Sequence, residues 1–187
     1  MKIVATNIGD RVEIDWKGKL VTTGIFKFPT QEPIFLDVED VKGDTLCDRK
    51  NHGGIDQAVY AYSFKHYEYW KGLYPDLEWT SGGMLGENLT IDDLDETKTH
   101  IGDTFKIGDK VIIEVTKPRP PCLKLGVKFN NVAMLKQFWN TTMCGVYFKV
   151  IQTGFVKEGD VLHQIRSCPE NKTIAEVYTE KRLAKGM

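Results

Sequence analysis

The sequence predicts a mostly β, α+β protein in which one barrel-like sheet carries a few peripheral helices. Two observations lead there. Short β-branched and aromatic runs recur at close spacing between turns bearing glycine or proline, and only a few stretches carry helical periodicity. With 187 residues, 41% hydrophobic and 27% charged, the chain is long enough for one ordinary domain to bury a real core.

Residues 1–7 read as a short strand. Residues 12–16 alternate apolar and polar, Lys17, Gly18 and Lys19 turn, and residues 20–25 resume, which is a hairpin signature. Residues 34–38 and 58–62 give a third and a fourth strand. Ser63 is placed to cap a helix, because Phe64, Tyr67, Trp70 and Leu73 fall after it at three-residue steps. That spacing predicts an amphipathic helix from residue 64 to about 74, with Gly72 and Pro75 helping to end it. Residues 88–91 form a short strand, and Ile101-Gly102-Asp103 and Ile107-Gly108-Asp109 echo each other around a turn. The clearest strand is 110–116, which runs into Lys117-Pro118-Arg119-Pro120-Pro121-Cys122. Residues 132–138 read as a helix, and 146–155 and 161–165 as two more strands. After Pro169 the texture changes: residues 173–185 are helical in composition but too short for a domain. The expected division is a β domain over 1–168 and a helical tail over 169–187.

Charge excludes some function classes. Twenty-five basic and 26 acidic residues are spread along the chain for a net charge of −1, with no cluster that reads as a nucleic-acid stripe or a membrane-surface helix. No apolar run is long enough to span a bilayer, and the N-terminus lacks a signal-peptide core, so a cytoplasmic location is expected. Cys47, Cys122, Cys144 and Cys168 are far apart and read as thiols. His52, His66, His100 and His163 are equally scattered, so no zinc-site spacing exists. His66 is expected to be solvated, and the acidic run 92–96 to be a solvated loop.

Three segments could carry chemistry. In Pro118-Arg119-Pro120-Pro121-Cys122-Leu123-Lys124-Leu125 the prolines stiffen an extended segment leaving a core strand. They hold Cys122 in one place between Arg119 and Lys124, a setting that favours thiolate, the form that attacks electrophiles or binds a soft metal. The competing reading makes Cys122 a small buried hydrophobe in a rigid loop. The second segment runs from Asp48 to Ala58: Arg49, Lys50 and His52 precede Gly53 and Gly54, and exposed amides beside cations suit an anion such as phosphate. Taken alone, the segment is read more simply as an ordinary Gly-Gly turn, and Asp56 either orients His52 or Lys50 or caps the turn. The third, residues 82–89, has glycines that permit tight turns, and its Asn88 either binds ligand or caps a strand.

Together and in this order, His52-Gly53-Gly54-Ile55-Asp56-Gln57-Ala58, Gly86-Glu87-Asn88-Leu89, an Ile-Gly-Asp phrase and the Cys122 segment resemble a MOSC domain, and more closely its stand-alone YiiM-like branch. The match runs from about residue 3 to residue 165. The resemblance implies a MOSC-type β-barrel that binds the molybdenum cofactor (molybdopterin), with Cys122 as the thiolate ligand to molybdenum and the catalytic centre. It implies that Lys50, His52, Gly53, Gly54, Asp56, Glu87 and Asn88 line the cofactor pocket, and that Arg119 and Lys124 help to hold the pterin's phosphate. The branch is associated with reducing N-hydroxylated bases and related compounds, and usually carries a C-terminal three-helix module, of which 173–185 offers about one helix.

Two function classes are compatible with these residues. In one, the protein is a molybdenum-cofactor reductase of N–O bonds, served by a separate electron-donor protein. In the other, it is a sulfur carrier holding a persulfide on Cys122. A cofactor-storage role without turnover is a third. Neither zinc nor pyridoxal phosphate is expected, nor a nucleic-acid or membrane partner, and a homodimer is left open.

Overall fold

A computed structural model of the chain describes residues 1–45 and 53–186. Its centre is an eight-stranded sheet. In spatial order the strands are β12 (Leu162–Arg166), β8 (Thr104–Ile107), β9 (Val111–Pro118), β10 (Val146–Gln152), β6 (Val59–Ser63), β7 (Leu89–Ile91), β1 (Ile3–Ile8) and β4 (Phe28–Pro29). Every neighbouring pair is antiparallel except β6 and β7, which are parallel. The β-branched run of β9 sets its alternation: Val111, Ile113 and Val115 point into the core and their neighbours face outward.

No closed barrel is found among the described residues. The two ends of the sheet meet at one corner. There Leu162 N–H donates to the Met1 carbonyl at 2.8 Å, Ile3 N–H to Asp160 at 2.9 Å, and Gly159 N–H to Ile3 at 2.9 Å. The mixed α+β class, richer in strand than in helix, stands as expected.

The predicted hairpin is β2 (Val12–Trp16) and β3 (Lys19–Thr23). Lys17 and Gly18 both have positive φ, 55° and 76°, which is the two-residue type I′ turn whose twist suits a hairpin. Residues 146–155 are two strands rather than one: β11 (Gly154–Val156) leaves the main sheet to pair with β5 (Ile34–Leu36). The Ile-Gly-Asp echo encloses β8, a strand of four residues that the turn-like glycines hide.

Ser63 does not cap the helix after it. It ends β6, and its Oγ is buried without a hydrogen-bond partner. The predicted helix begins as a 3-10 turn over Phe64–His66 before α1 (Tyr67–Leu73), which buries Tyr67 and Trp70 completely. The short α2 (Leu123–Lys128) follows the proline segment, and α3 (Ala133–Trp139) places Phe138 in a stack with Trp70.

The terminal helix α4 (Ile174–Ala184) starts with a capping box: the Thr173 hydroxyl accepts from Glu176 N–H, and the Glu176 carboxylate accepts from Thr173 N–H. It packs into the same core as the sheet. Tyr178 stacks on Trp139 with centroids 4.9 Å apart and donates its hydroxyl to the Phe138 carbonyl at 3.1 Å.

Candidate functional site

The end of β9 delivers the cysteine. Pro118 is the last, buried residue of that strand, and the chain then runs extended to Cys122, which opens α2 with φ −122° and ψ 163°. Cys122 is half-buried on the wall of a cleft of about 640 Å³, open solvent at its mouth included. The facing walls come from the segment between β3 and β4, from the start of β6, and from the loop before β7.

Arg119 is the fixed charge of this cleft. It is buried, donates from Nη1 to the Leu85 carbonyl, and lies with its guanidinium carbon 4.6 Å from the centre of the Tyr60 ring. Burial opposes its charge, but Tyr60, Tyr147 and Cys122 support it, and the balance lifts its pKa further above the ordinary arginine value. Guanidinium keeps its proton at any pH where the fold survives. Tyr60 stays neutral, because burial pushes its phenol well up, and its hydroxyl donates to the Cys144 carbonyl at 2.9 Å.

A second charged group sits on the opposite wall. Lys27 is buried and ion-paired to the buried Asp44. Asp44 Oδ2 also accepts from Asn88 Nδ2 at 2.8 Å, and Oδ1 from Gly9 N–H at 3.0 Å. Asn88 Oδ1 in turn accepts from Tyr60 N–H at 3.3 Å, so one chain of hydrogen bonds links the cleft's base to β6. Burial lowers the Lys27 pKa, and Asp44 partly restores it. Sequence reasoning missed this pair. The available signal was a lysine set between two phenylalanines, Phe26-Lys27-Phe28, where a strand edge would otherwise be apolar.

Of the residues singled out from sequence, Cys122, Arg119, Lys124, Asn88 and Gly53 line the cleft together. Lys50 and His52, like Cys47, lie outside the described residues. Gly54 takes a positive φ of 84° and spends its N–H on the Glu39 carbonyl at 3.1 Å, away from the lining. Asp56 is exposed on a 3-10 turn, where its carbonyl accepts from the Thr116 hydroxyl at 2.7 Å.

Glu87 turns into the protein. Its carboxylate is fully buried and accepts from Gly83 N–H, Leu85 N–H and the Thr90 hydroxyl, each at 2.9 Å, and from the Tyr67 hydroxyl. It braces the loop that carries Gly86 and Asn88 without lining the cleft. His66 and the acidic run also depart from expectation: His66 Nε2 lies 2.8 Å from Glu96, and the buried Glu96 accepts from Gly145 N–H at 2.8 Å.

Cys144 and Cys168 are buried, and burial pushes the Cys144 thiol well up. Among the described residues no three His, Cys, Asp or Glu side chains gather as metal ligands. Among the described residues, the soft donor at the cleft is the Cys122 thiol, set beside cations. It suits a soft metal already carried by an anionic organic group better than a metal held by protein ligands alone.

The family profile for the MOSC domain matches residues 48–163. The chain belongs to the MOSC family. Among its relatives, the uncharacterized protein YflK of Bacillus subtilis is 36% identical over 157 residues, covering 84% of this chain and 70% of that protein. A protein of Gibberella moniliformis named "Reductase" is 34% identical over 146 residues, 78% of this chain but only 26% of its own length. Among solved structures, YiiM from Geobacillus stearothermophilus aligns with a TM-score of 0.79 and 28% identity over 100% of this chain and 86% of that one. Within the MOSC family, this chain sits on the YiiM-like branch. No helix among the described residues is long and apolar enough to cross a membrane.

Proposed function

We propose that this MOSC-domain protein binds the molybdenum cofactor in the cleft and reduces N-hydroxylated compounds, with Cys122 as the thiolate ligand to molybdenum. The observation that carries the reading is the placement of Cys122 on a cleft wall beside a buried, permanent guanidinium. Arg119 gives the thiolate a fixed counter-charge, and the proline segment fixes where the sulfur sits. Lys124 adds positive charge to the same space, which suits the phosphate of a pterin. Tyr60 and Tyr147, with ring centroids 5.2 Å apart, also line the cleft and give it an aromatic side.

The cofactor, when bound, supplies the redox chemistry, and the protein positions it and shapes the space for substrate. Overall the N–O bond breaks, and two electrons and two protons convert the N-hydroxyl compound to the amine and water. The electrons come from a separate electron-donor protein. The reductase name of one relative, which this chain covers only in part, supports the same class.

The test uses protein expressed in a cofactor-producing host and purified without oxygen, with molybdenum measured by elemental analysis and pterin by fluorescence after oxidation. Near-stoichiometric metal and pterin are expected in the wild type and in Cys144→Ser, and neither in Cys122→Ser. Equal metal in the two variants overturns the ligand assignment. Cyanide-labile sulfur on Cys122 without molybdenum would instead establish the sulfur-carrier reading.

A further inference from the structure

Charge balances over the whole chain but not along the stretch that carries Cys122. Between Glu114 and Glu158 there is no aspartate or glutamate, while seven lysines and arginines occur. Some of these are used inside the fold. Arg119 is buried, Lys128 donates to the Gly83 and Ile25 carbonyls, and Lys149 pairs with Glu114 at 2.7 Å. Lys117 is different. It is half-buried near the end of β9, and α4 packs against that strand.

The helix brings three more cations: Lys181 and Arg182 in its last turn and Lys185 just after it. Arg182 Nη1 donates to the Trp139 carbonyl at 3.3 Å, and Lys185 Nζ lies 5.5 Å from the centre of the Trp139 ring. Lys181 comes close enough to Lys117 to feel its charge: burial, and then Lys117, lowers the Lys181 pKa. Among the described residues none of these four cations forms an ion pair, and Glu180 of the same helix pairs with Lys172.

Cations in a last turn complement the negative end of a helix, which accounts for Arg182 and Lys185. It does not account for Lys117, which sits on a strand, or for the approach of a second lysine to it. Like charges held together cost energy, and an anion from outside would relieve that cost.

None of the four lines the cleft. Cys122 is five positions after Lys117, so their backbones are at most about 18 Å apart. The segment between them is exposed at Pro120, and Leu123 is exposed just beyond. The cations therefore lie beside the wall that holds the sulfur, outside the space left for substrate.

We propose that Lys117, Lys181, Arg182 and Lys185 form the docking face for the acidic surface of the electron-donor protein. That the docked protein delivers electrons rests on the function proposed above. For each N–O bond broken, the reduced donor gives up two electrons and is oxidised, solvent gives two protons, and amine and water leave. Charge suits a partner that binds and departs at every delivery, because exposed pairs speed encounter without making a tight complex.

The probe is oxidised flavodoxin, an acidic flavin carrier, titrated calorimetrically into the cofactor-free full chain at about 20 mM and about 300 mM salt. Binding is expected at low salt and to weaken by about tenfold or more at high salt. The triple variant Lys117→Gln, Lys181→Gln, Lys185→Gln is expected to weaken low-salt binding by about tenfold. A control triple, Lys106→Gln, Lys110→Gln and Lys157→Gln, removes the same charge elsewhere and is expected to change binding by less than about twofold. In the loaded enzyme the first triple should raise KM for reduced flavodoxin by about tenfold. It should leave turnover with reduced methyl viologen, which needs no docking face, unchanged.

No binding at low salt, or equal weakening in the two triples, overturns the proposal. Should the first triple fail to fold, Lys117→Gln and Lys185→Gln decide separately, each expected to weaken binding by about threefold. A short DNA duplex that binds this face more tightly than flavodoxin also overturns it. Flavodoxin binding at this face in a protein that never carries molybdenum would retain the docking site and reject the proposed cofactor.

Discussion

Replacing Glu87 by glutamine removes a charge and turns one acceptor oxygen into a donor, with almost no change in shape. In the native fold one carboxylate oxygen takes Gly83 N–H, the Thr90 hydroxyl and the Tyr67 hydroxyl, and the other takes Leu85 N–H. Burial, then the adjacent Glu87, pushes the Tyr67 phenol well up, so Tyr67 remains a donor. The glutamine amide keeps one oxygen. With that oxygen on the three-donor side, its NH₂ meets Leu85 N–H, and a buried backbone donor is left without an acceptor at a cost of about 1–3 kcal/mol. The three remaining bonds fall from charge-assisted to neutral strength, costing about 0.5 kcal/mol or more each. The sum is about 3 kcal/mol, a large share of an ordinary domain's stability. Urea unfolding followed by tryptophan fluorescence measures it, with molybdenum and pterin counted per folded molecule. A lower midpoint with unchanged cofactor content is expected. A variant as stable as the wild type that has lost its pterin would refute the reasoning and return Glu87 to the cofactor pocket.

Lys27→Met leaves Asp44 buried against Asn88 and Gly9 N–H with its cation gone, and it is expected to cost about 3–5 kcal/mol in denaturant unfolding. Lys27→Met combined with Asp44→Leu should recover more than half of that loss, and a double variant no better than the single would exclude a buried ion pair. For Lys128 the proton is lost at about 8 in the folded protein but near 10.5 in the unfolded chain. Between those values the unfolded state binds more protons, so stability rises with pH across this window, by about 3 kcal/mol when complete. Urea midpoints across that range measure the rise, which Lys128→Met should abolish.

Local chemistry made several elements legible in the sequence. Lys17 and Gly18 announced the β2–β3 hairpin, the β-branched run announced β9, and the composition after Thr173 announced α4. The four residues of β8 did not, because the glycines on either side read as turn and the strand is defined by its neighbours β9 and β12 rather than by its own pattern. Ser63 looked like a cap, yet it belongs to a strand whose burial overrode that preference. In the site, Cys122, Arg119 and Lys124 were found because they lie within six consecutive residues, and a short stiff segment keeps sequence neighbours together in space. Lys27 and Asp44 were not, because they come from different loops and only tertiary packing joins them. Glu87 and Asn88 are adjacent in sequence and face opposite ways, as strand geometry requires of consecutive residues leading into β7.

The corner where the sheet's two ends meet also bears on how the molecule is made. Met1 binds Leu162, its partner 161 positions further along the chain. During synthesis residues 1–3 cannot make these bonds until residues 159–162 have emerged. The entropic cost of closing so long a loop grows only logarithmically with its length, so the corner costs little more stability than a shorter loop would. Its cost is in time: contacts this distant slow the search for the native state and leave the edge of β1 open to other strands while it lasts.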